Sequence, residues 1–356
     1  MFCLTARGAF YLKDMSRIED GRFYEQDIAL QEQLTPVSPE VGYWFPIPEP
    51  GQVNFEARIR PERIIIPDRV VDSLGGYVRK ALQEISGYSK PKLDGIMVGL
   101  SGGIDSTTTV ALCSQALEGI RYFVKGLIMG RGPEGQRGDM NVVEHQDILY
   151  AIQSAKDMGI DYEYIDITSL VEAAAELFPN IPSWEMSGLL PRIRSILLYQ
   201  AADNSNAICA GTTNGSEFIL AGFTYGGPAG HFQPLIDFYK SEVHKIGEML
   251  GVPDYIRQRK AGISELGLYE EQLYGTSCYI LDPILRRMNW QKRSPERVAR
   301  ELGHDVDWLR RIKKLRIEGE KGRKYPPSFV VGRGFRIKVK PDVKFNRDRY
   351  FNNLFD

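Results

Sequence analysis

Six consecutive residues, Ser101-Gly102-Gly103-Ile104-Asp105-Ser106, bring two hydroxyls, two glycines and a carboxylate into the space of one turn. Glycines 102 and 103 remove the side chains that would hold a phosphate away from the backbone, and Ser101 and Ser106 add hydroxyl donors. Asp105 would repel a phosphate unless a cation lay between them, so this spacing suggests a carboxylate that holds Mg²⁺. The pattern is not the G-x-x-x-x-G-K-[ST] of a Walker loop, and no lysine sits inside it. The bland alternative is a serine-glycine turn that caps a helix. Further along, Gly211-Thr212-Thr213-Asn214-Gly215-Ser216-Glu217 and Tyr239-Lys240-Ser241-Glu242-Val243 offer a second carboxylate and a lysine. Glu217 suits either a metal or a helix start. Lys240 suits either a phosphate, as a point charge, or a helix surface along which its stem lies.

These groups need elements to hold them. The apolar Ile96-Met97-Val98, with Gly99 after it, reads as a buried strand, and residues 107 to 117 read as the helix after the loop. A strand followed by small residues and a helix start aims backbone N–H groups at an anion. Upstream, Val70, Val71, Leu74, Tyr77, Val78, Ala81, Leu82 and Ile85 recur with helical spacing, and Gly87 and Pro91 close that helix. Downstream, strands are expected over 122–129, 162–167 and 206–210, with helices over 145–158 and 171–177 between them. This alternation predicts an α/β fold with a doubly wound, mainly parallel sheet whose ligands bind at the carboxyl ends of its strands. The glycine-rich loop 130–140, carrying Arg131 and Arg137, leaves the second strand at that edge. Either arginine can meet phosphate or stay solvated. Arg192 and Arg194, near an expected helix start, point about 200° apart and need not share a ligand.

The chain has 356 residues, 43% of them hydrophobic, and a net charge of −1, so bulk electrostatics favour neither nucleic acid nor an anionic membrane. No apolar run approaches the roughly 20 residues of a membrane span, and Met1-Phe2-Cys3-Leu4 lacks the build of a signal peptide, which reads as cytoplasmic. The four cysteines form no C-x-x-C pair, and Cys113 and Cys209 read as core. Three regions are expected: an N-terminal extension over 1–64 with the proline-rich 44–51, a main domain over 65–288, and a helical, basic extension over 289–356. The basic 310–340 reads as solvated helix and a docking strand at 335–339 rather than a nucleic-acid surface.

The loop at 101–106 resembles the SGGxDS loop of the ATP pyrophosphatases. Gly211-Thr212-Thr213-Asn214-Gly215-Ser216-Glu217, Arg192-x-Arg194, Pro234-Leu235 and Lys240 follow it in the order found in NAD synthetases, and the resemblance covers roughly residues 65 to 336. It implies an adenine nucleotide alpha hydrolase-like fold and a homodimer. The implied activity uses ATP and Mg²⁺ to adenylate the carboxylate of deamido-NAD, releasing pyrophosphate, after which ammonia displaces AMP. By resemblance Gly99, Ser101, Gly102, Gly103 and Ser106 bind ATP and pyrophosphate, with Arg192 and Thr212 near ATP. Asp105 and Glu217 would hold the metal, and Asp105, Ser106 and Lys240 would be catalytic.

The acceptor side departs from the family pattern. Where F-T-K-Y-G-D-G is expected, the chain has Phe223-Thr224-Tyr225-Gly226-Gly227, without the lysine and the aspartate, and Gly188 replaces an asparagine. His231, Tyr225 and Arg131 are therefore the candidates to bind the acceptor. About sixty residues before the main domain are too few for a glutaminase, and Cys3 does not directly follow Met1, so ammonia is expected from solution or a separate donor. Two alternatives remain open at this point: a related amidoligase acting on another carboxylate, and a catalytically silent nucleotide-binding protein.

Overall fold

A computed structural model describes residues 66–88, 92–132, 142–178, 183–220, 229–259, 262–263, 268–269, 274 and 276–314. The N-terminal extension, Arg137, Tyr225 and the tail beyond 314 lie outside the described residues.

Four parallel strands form the central sheet: β1 (Gly95–Gly99), β2 (Phe123–Gly130), β3 (Asp161–Asp166) and β4 (Ala207–Ala210), in the order β3-β2-β1-β4. Met97 stands opposite Lys125 of β2 on one side and Cys209 of β4 on the other. Alternation along the strands divides the core. Ile96, Val98, Ile128 and Ile208 face α1 (Val70–Tyr88), α2 (Ile104–Leu117), α3 (Val142–Asp157), and two later helices, α7 (Lys240–Met249) and α8 (Asp254–Gln258). Met97, Leu127, Met129 and Cys209 face α4 (Thr168–Leu177) and α5 (Ser183–Asn204). Helices thus cover both faces, as the β/α alternation predicts. Cys113 and Cys209 are fully buried, and burial pushes each thiol up to about 12.

α2 is buried almost all round, from Ile104 to Leu117, between the sheet and the helices α1 and α7. Thr107, Thr108 and Thr109 are poor helix formers, so tertiary burial rather than local preference holds this helix. One boundary differs from expectation. Pro191 lies inside α5, so Arg192 and Arg194 are mid-helix rather than near its start. Proline loses one backbone donor there, while Leu190, Ile193, Leu198 and Ala202 anchor the helix on the sheet.

α6 (Gly215–Leu220), α9 (Cys278–Leu285), α10 (Pro295–Leu302) and the helical 306–314 surround a third core of Tyr239, Leu281, Leu285, Val298, Trp308 and Ile312. Ser294, Pro295 and Gly303 start and stop α10, with Gly303 left-handed at φ 74°. A two-residue pair, β5 (Gly262–Ile263) with β6 (Leu268–Tyr269), precedes α9. Among the described residues, no helix is long and apolar enough to cross a membrane.

Candidate functional site

The chain runs from β1 to β2 and β3 on one side, then returns to place β4 on the other side of β1. Connections diverge at that reversal, and the carboxyl ends of β1 and β4 open a crevice between them. Loop 100–103 leaves β1 at this point, and loop 211–214 leaves β4.

Three charged side chains meet in the crevice. Lys240 Nζ donates to Asp105 Oδ2 at 2.5 Å and lies 3.5 Å from Glu217 Oε1. Asn214 Nδ2 donates to Asp105 Oδ1 at 3.0 Å, and the Glu217 N–H donates to Asn214 Oδ1 at 2.9 Å. Lys240 is 4% exposed, so its ammonium depends on these carboxylates for compensation. Asp105 is placed by the first turn of α2, Glu217 by the first turn of α6 and Lys240 by the first residue of α7.

The serine-glycine loop is held by its own hydroxyls. Ser106 Oγ accepts the Ser101 N–H at 3.1 Å and donates to the Gly103 carbonyl at 3.1 Å, and the two serine hydroxyls are 3.0 Å apart. Both serines therefore shape the cradle as well as line it. Gly103 caps α2 without a side-chain partner, which leaves the helix's first N–H groups directed into the crevice. Gly102, with φ +77°, packs so tightly on α3 that a Cβ there would lie 2.2 Å from the Asp147 carbonyl oxygen. The buried guanidinium of Arg259 donates to the Gly102 carbonyl at 3.2 Å and to Asp147 Oδ1 at 2.5 Å, and stacks over Tyr150.

Beside the loop lies a mainly apolar pocket lined by Gly99, Ser101, Leu127, Met129, Glu144, Arg194 and Leu198. Glu144, 1% exposed, receives Arg131 through Nη2 at 2.5 Å and Arg194 through Nη2 at 3.2 Å.

The structure brings Asp105, Glu217 and Lys240 together beside the loop that carries Ser101, Gly102, Gly103 and Ser106; Gly99 lines the neighbouring pocket, and Thr212 lies half-buried on the β4 loop. Other candidates fall elsewhere. Arg194 reaches the pocket, whereas Arg192 is exposed and its Nη1 lies over Gly188. Arg131 is engaged with buried Glu144. His231 lies alongside β4: its N–H donates to the Cys209 carbonyl, and its Nδ1 accepts the Cys209 N–H at 2.9 Å. Partial burial lowers the His231 pKa, which keeps the ring neutral with Nδ1 as acceptor. The sequence does not single out Asn214 or Arg259, which donate to Asp105 and to the Gly102 carbonyl, nor Asp282, which accepts from Ser216 beside Glu217. Asp282 offered a signal, being an acid within the apolar Tyr279-Ile280-Leu281-Asp282-Pro283-Ile284-Leu285.

A parallel sheet with a serine-glycine loop leading into a buried helix, and charged groups gathered at the β1 and β4 ends, defines a PP-loop α/β protein. The sequence profile of NAD synthase matches residues 73–326. An NH(3)-dependent NAD(+) synthetase from Pyrococcus horikoshii is 33% identical over 279 residues, 76% of this chain and 99% of its own length. Another, from Thermococcus kodakarensis, is 35% identical over 262 residues, covering 70% and 98%. The chain belongs to the NAD synthase family. Among solved structures, the fold is similar to NMN synthetase from Francisella tularensis, with TM-score 0.58 and 24% identity over 73% of this chain and 97% of that one. It is also similar to an NH3-dependent NAD synthetase from Campylobacter jejuni, with TM-score 0.56 and 23% identity over 74% and 98%.

Proposed function

We propose that this chain is an ATP-dependent amide-forming ligase that converts deamido-NAD to NAD with free ammonia. The observation that carries the reading is the buried Lys240 ammonium joined to Asp105 and Glu217 beside the serine-glycine loop. That arrangement gives a departing pyrophosphate a fixed positive charge, and the carboxylates give a cation its hard oxygen ligands.

In this reading the acceptor carboxylate attacks the α-phosphorus of ATP, and the bond to the β-phosphate oxygen breaks. The N–H groups of loop 101–103 and the start of α2 hold the phosphate chain, while Lys240 stabilises the charge that develops on pyrophosphate. Asp105 and Glu217 are the carboxylates that would hold Mg²⁺; both reach the Lys240 ammonium, and among the described residues no group of three or more His, Cys, Asp or Glu side chains could hold a metal ion. Mg²⁺ held there would neutralise charge on the phosphates. Ammonia then attacks the acyl carbon, AMP leaves, and one proton is released.

Arg194 and Leu198 line the space assigned to the nucleotide base and ribose, and Thr212 approaches from β4. The acceptor half is assigned to the stretch 222–231, with Tyr225 and with His231 through Nε2, while Arg131 shapes the wall through Glu144. Exposed Leu177, Phe178 and Ile196 on and beside α4 and α5 support a homodimer. The same reading keeps 1–64 and 289–356 as extensions of a cytoplasmic enzyme supplied with ammonia by solution or a separate donor.

The test is pyrophosphate release from ATP and Mg²⁺, with and without deamido-NAD and ammonium, with products identified by mass. AMP and NAD formed only with all components support the proposal. Nucleotide binding with no stimulation by deamido-NAD would reject this acceptor, and nicotinate mononucleotide is the first comparator.

A further inference from the structure

Asp282 is 1% exposed in the apolar helix α9, between buried Leu281 and Ile284. A carboxylate in such a place is costly unless donors surround it. Its donors come from two of the three helices that carry the charged groups of the site, those of Glu217 and Lys240. Ser216 Oγ, in the first turn of α6, donates to Asp282 Oδ1 at 2.6 Å. The Ser241 N–H, in the first turn of α7, donates to Oδ2 at 2.7 Å. Ser216 Oγ in turn accepts the Lys240 N–H at 2.9 Å. One carboxylate therefore receives, directly or through one hydroxyl, the first two free N–H groups of α7, where a helix end favours negative charge. The same hydroxyl sits one residue before Glu217.

We infer that Asp282 is a positioning residue that fixes the backbones of Lys240 and Glu217 relative to each other, and so sets where the Lys240 ammonium meets phosphate. Asp282 touches no substrate in this scheme; it acts through Ser216 and the α7 N-terminus. Glu242, buried in the first turn of α7, does a separate job by accepting the Tyr239 N–H at 2.8 Å and pairing with Arg286 at 2.7 Å. The inference rests on Lys240 acting in the reaction.

Asp282→Asn keeps the size of the side chain but turns an NH₂ group against one of its two donors. Lys240→Met removes the group through which Asp282 is inferred to act. The cycle uses the full chain: wild type, Asp282→Asn, Lys240→Met and the double variant, assayed for kcat, for KM of each substrate, for ATP affinity by calorimetry and for melting temperature. Asp282→Asn is expected to lower kcat about 10- to 100-fold, because small misplacements of a transition-state contact are costly. ATP affinity should change less than kcat, since Lys240 acts on the departing pyrophosphate. In the Lys240→Met background the same substitution should change kcat by less than about 2-fold, while its melting penalty persists.

Equal kcat losses in both backgrounds would overturn the positioning role, as would wild-type kcat with a lowered melting temperature. Wild-type activity in Lys240→Met would instead overturn the reading of Lys240, and this inference with it. If Asp282→Asn does not fold, Ser216→Ala carries the same cycle with an expected kcat loss of about 3- to 10-fold.

Discussion

Replacing Gly102 by alanine tests how the phosphate loop is built. The new Cβ would lie 2.2 Å from the Asp147 carbonyl oxygen and 2.7 Å from the Ala151 nitrogen, both of them backbone atoms of α3 that cannot rotate aside. Gly102 also has φ +77°, a left-handed conformation that costs an ordinary residue about 1–2 kcal/mol. Forcing loop and helix apart adds an overpacking cost of about 1–3 kcal/mol. Together these give about 2–5 kcal/mol, and for a domain of this size a fall in melting temperature of about 4–20 °C. ATP affinity should fall with it, because Arg259 grips both the Gly102 carbonyl and Asp147 and would be displaced. Gly103→Ala is the control. Its Cβ would meet only Ser101 Oγ, at 3.5 Å. At a helix N-cap that change costs at most about 1 kcal/mol, yet it puts a methyl group in the cradle. Thermal melts and ATP calorimetry should then separate the variants, with Gly102→Ala losing both stability and binding and Gly103→Ala losing chiefly binding. A Gly102→Ala protein that melts within about 2 °C of wild type and binds ATP normally would refute this account of the loop.

Glu144→Gln leaves the Arg131 and Arg194 guanidinium groups on a neutral, buried partner and should cost about 3–5 kcal/mol in denaturant melts; a loss under about 1 kcal/mol would show that the arginines re-solvate. Arg194→Ala should weaken ATP binding measurably while Arg192→Ala leaves it nearly unchanged, since only Arg194 lines the pocket; calorimetry giving the reverse order would move the nucleotide to the other side of α5. His244 is pushed down to about 4 by burial and then by the Lys240 ammonium, so the fold favours the neutral ring. Its contribution is present above pH 6.5 and lost as pH falls towards 4, and His244→Gln should gain up to about 2 kcal/mol on wild type between pH 7 and pH 5. Asp282, raised to about 6 mainly by burial, adds stability at low pH that is lost as pH rises through 6. Both proteins carry that opposite slope, so it cancels in the difference between their urea melts.

Local pattern was enough for the sheet because short apolar runs between helical patterns mark parallel strands covered on both faces: Ile96 and Val98 face one layer of helices and Met97 the other. The serine-glycine loop was legible for a similar reason, since its glycines, hydroxyls and carboxylate lie within one turn. The meeting of Asp105 with Lys240 was not, because those residues are 135 apart and no periodicity relates them; the motif order supplied it. Arg192 and Arg194 show the limit of geometry without tertiary contacts. Helical spacing says that they face different ways, but only the packing of Leu190, Ile193 and Leu198 on the sheet decides which one turns towards the pocket. His231 shows the complementary limit. A loop histidine suggests chemistry, yet the backbone pairing of residues 231–232 with β4 turns its Nδ1 onto the Cys209 N–H. Asp282 was the most readable of the residues missed, because a lone acid in an apolar helix must find buried donors or fail to ionise. Those donors had to be polar groups able to approach from other elements, and the helix starts at Ser216 and Ser241 provide them.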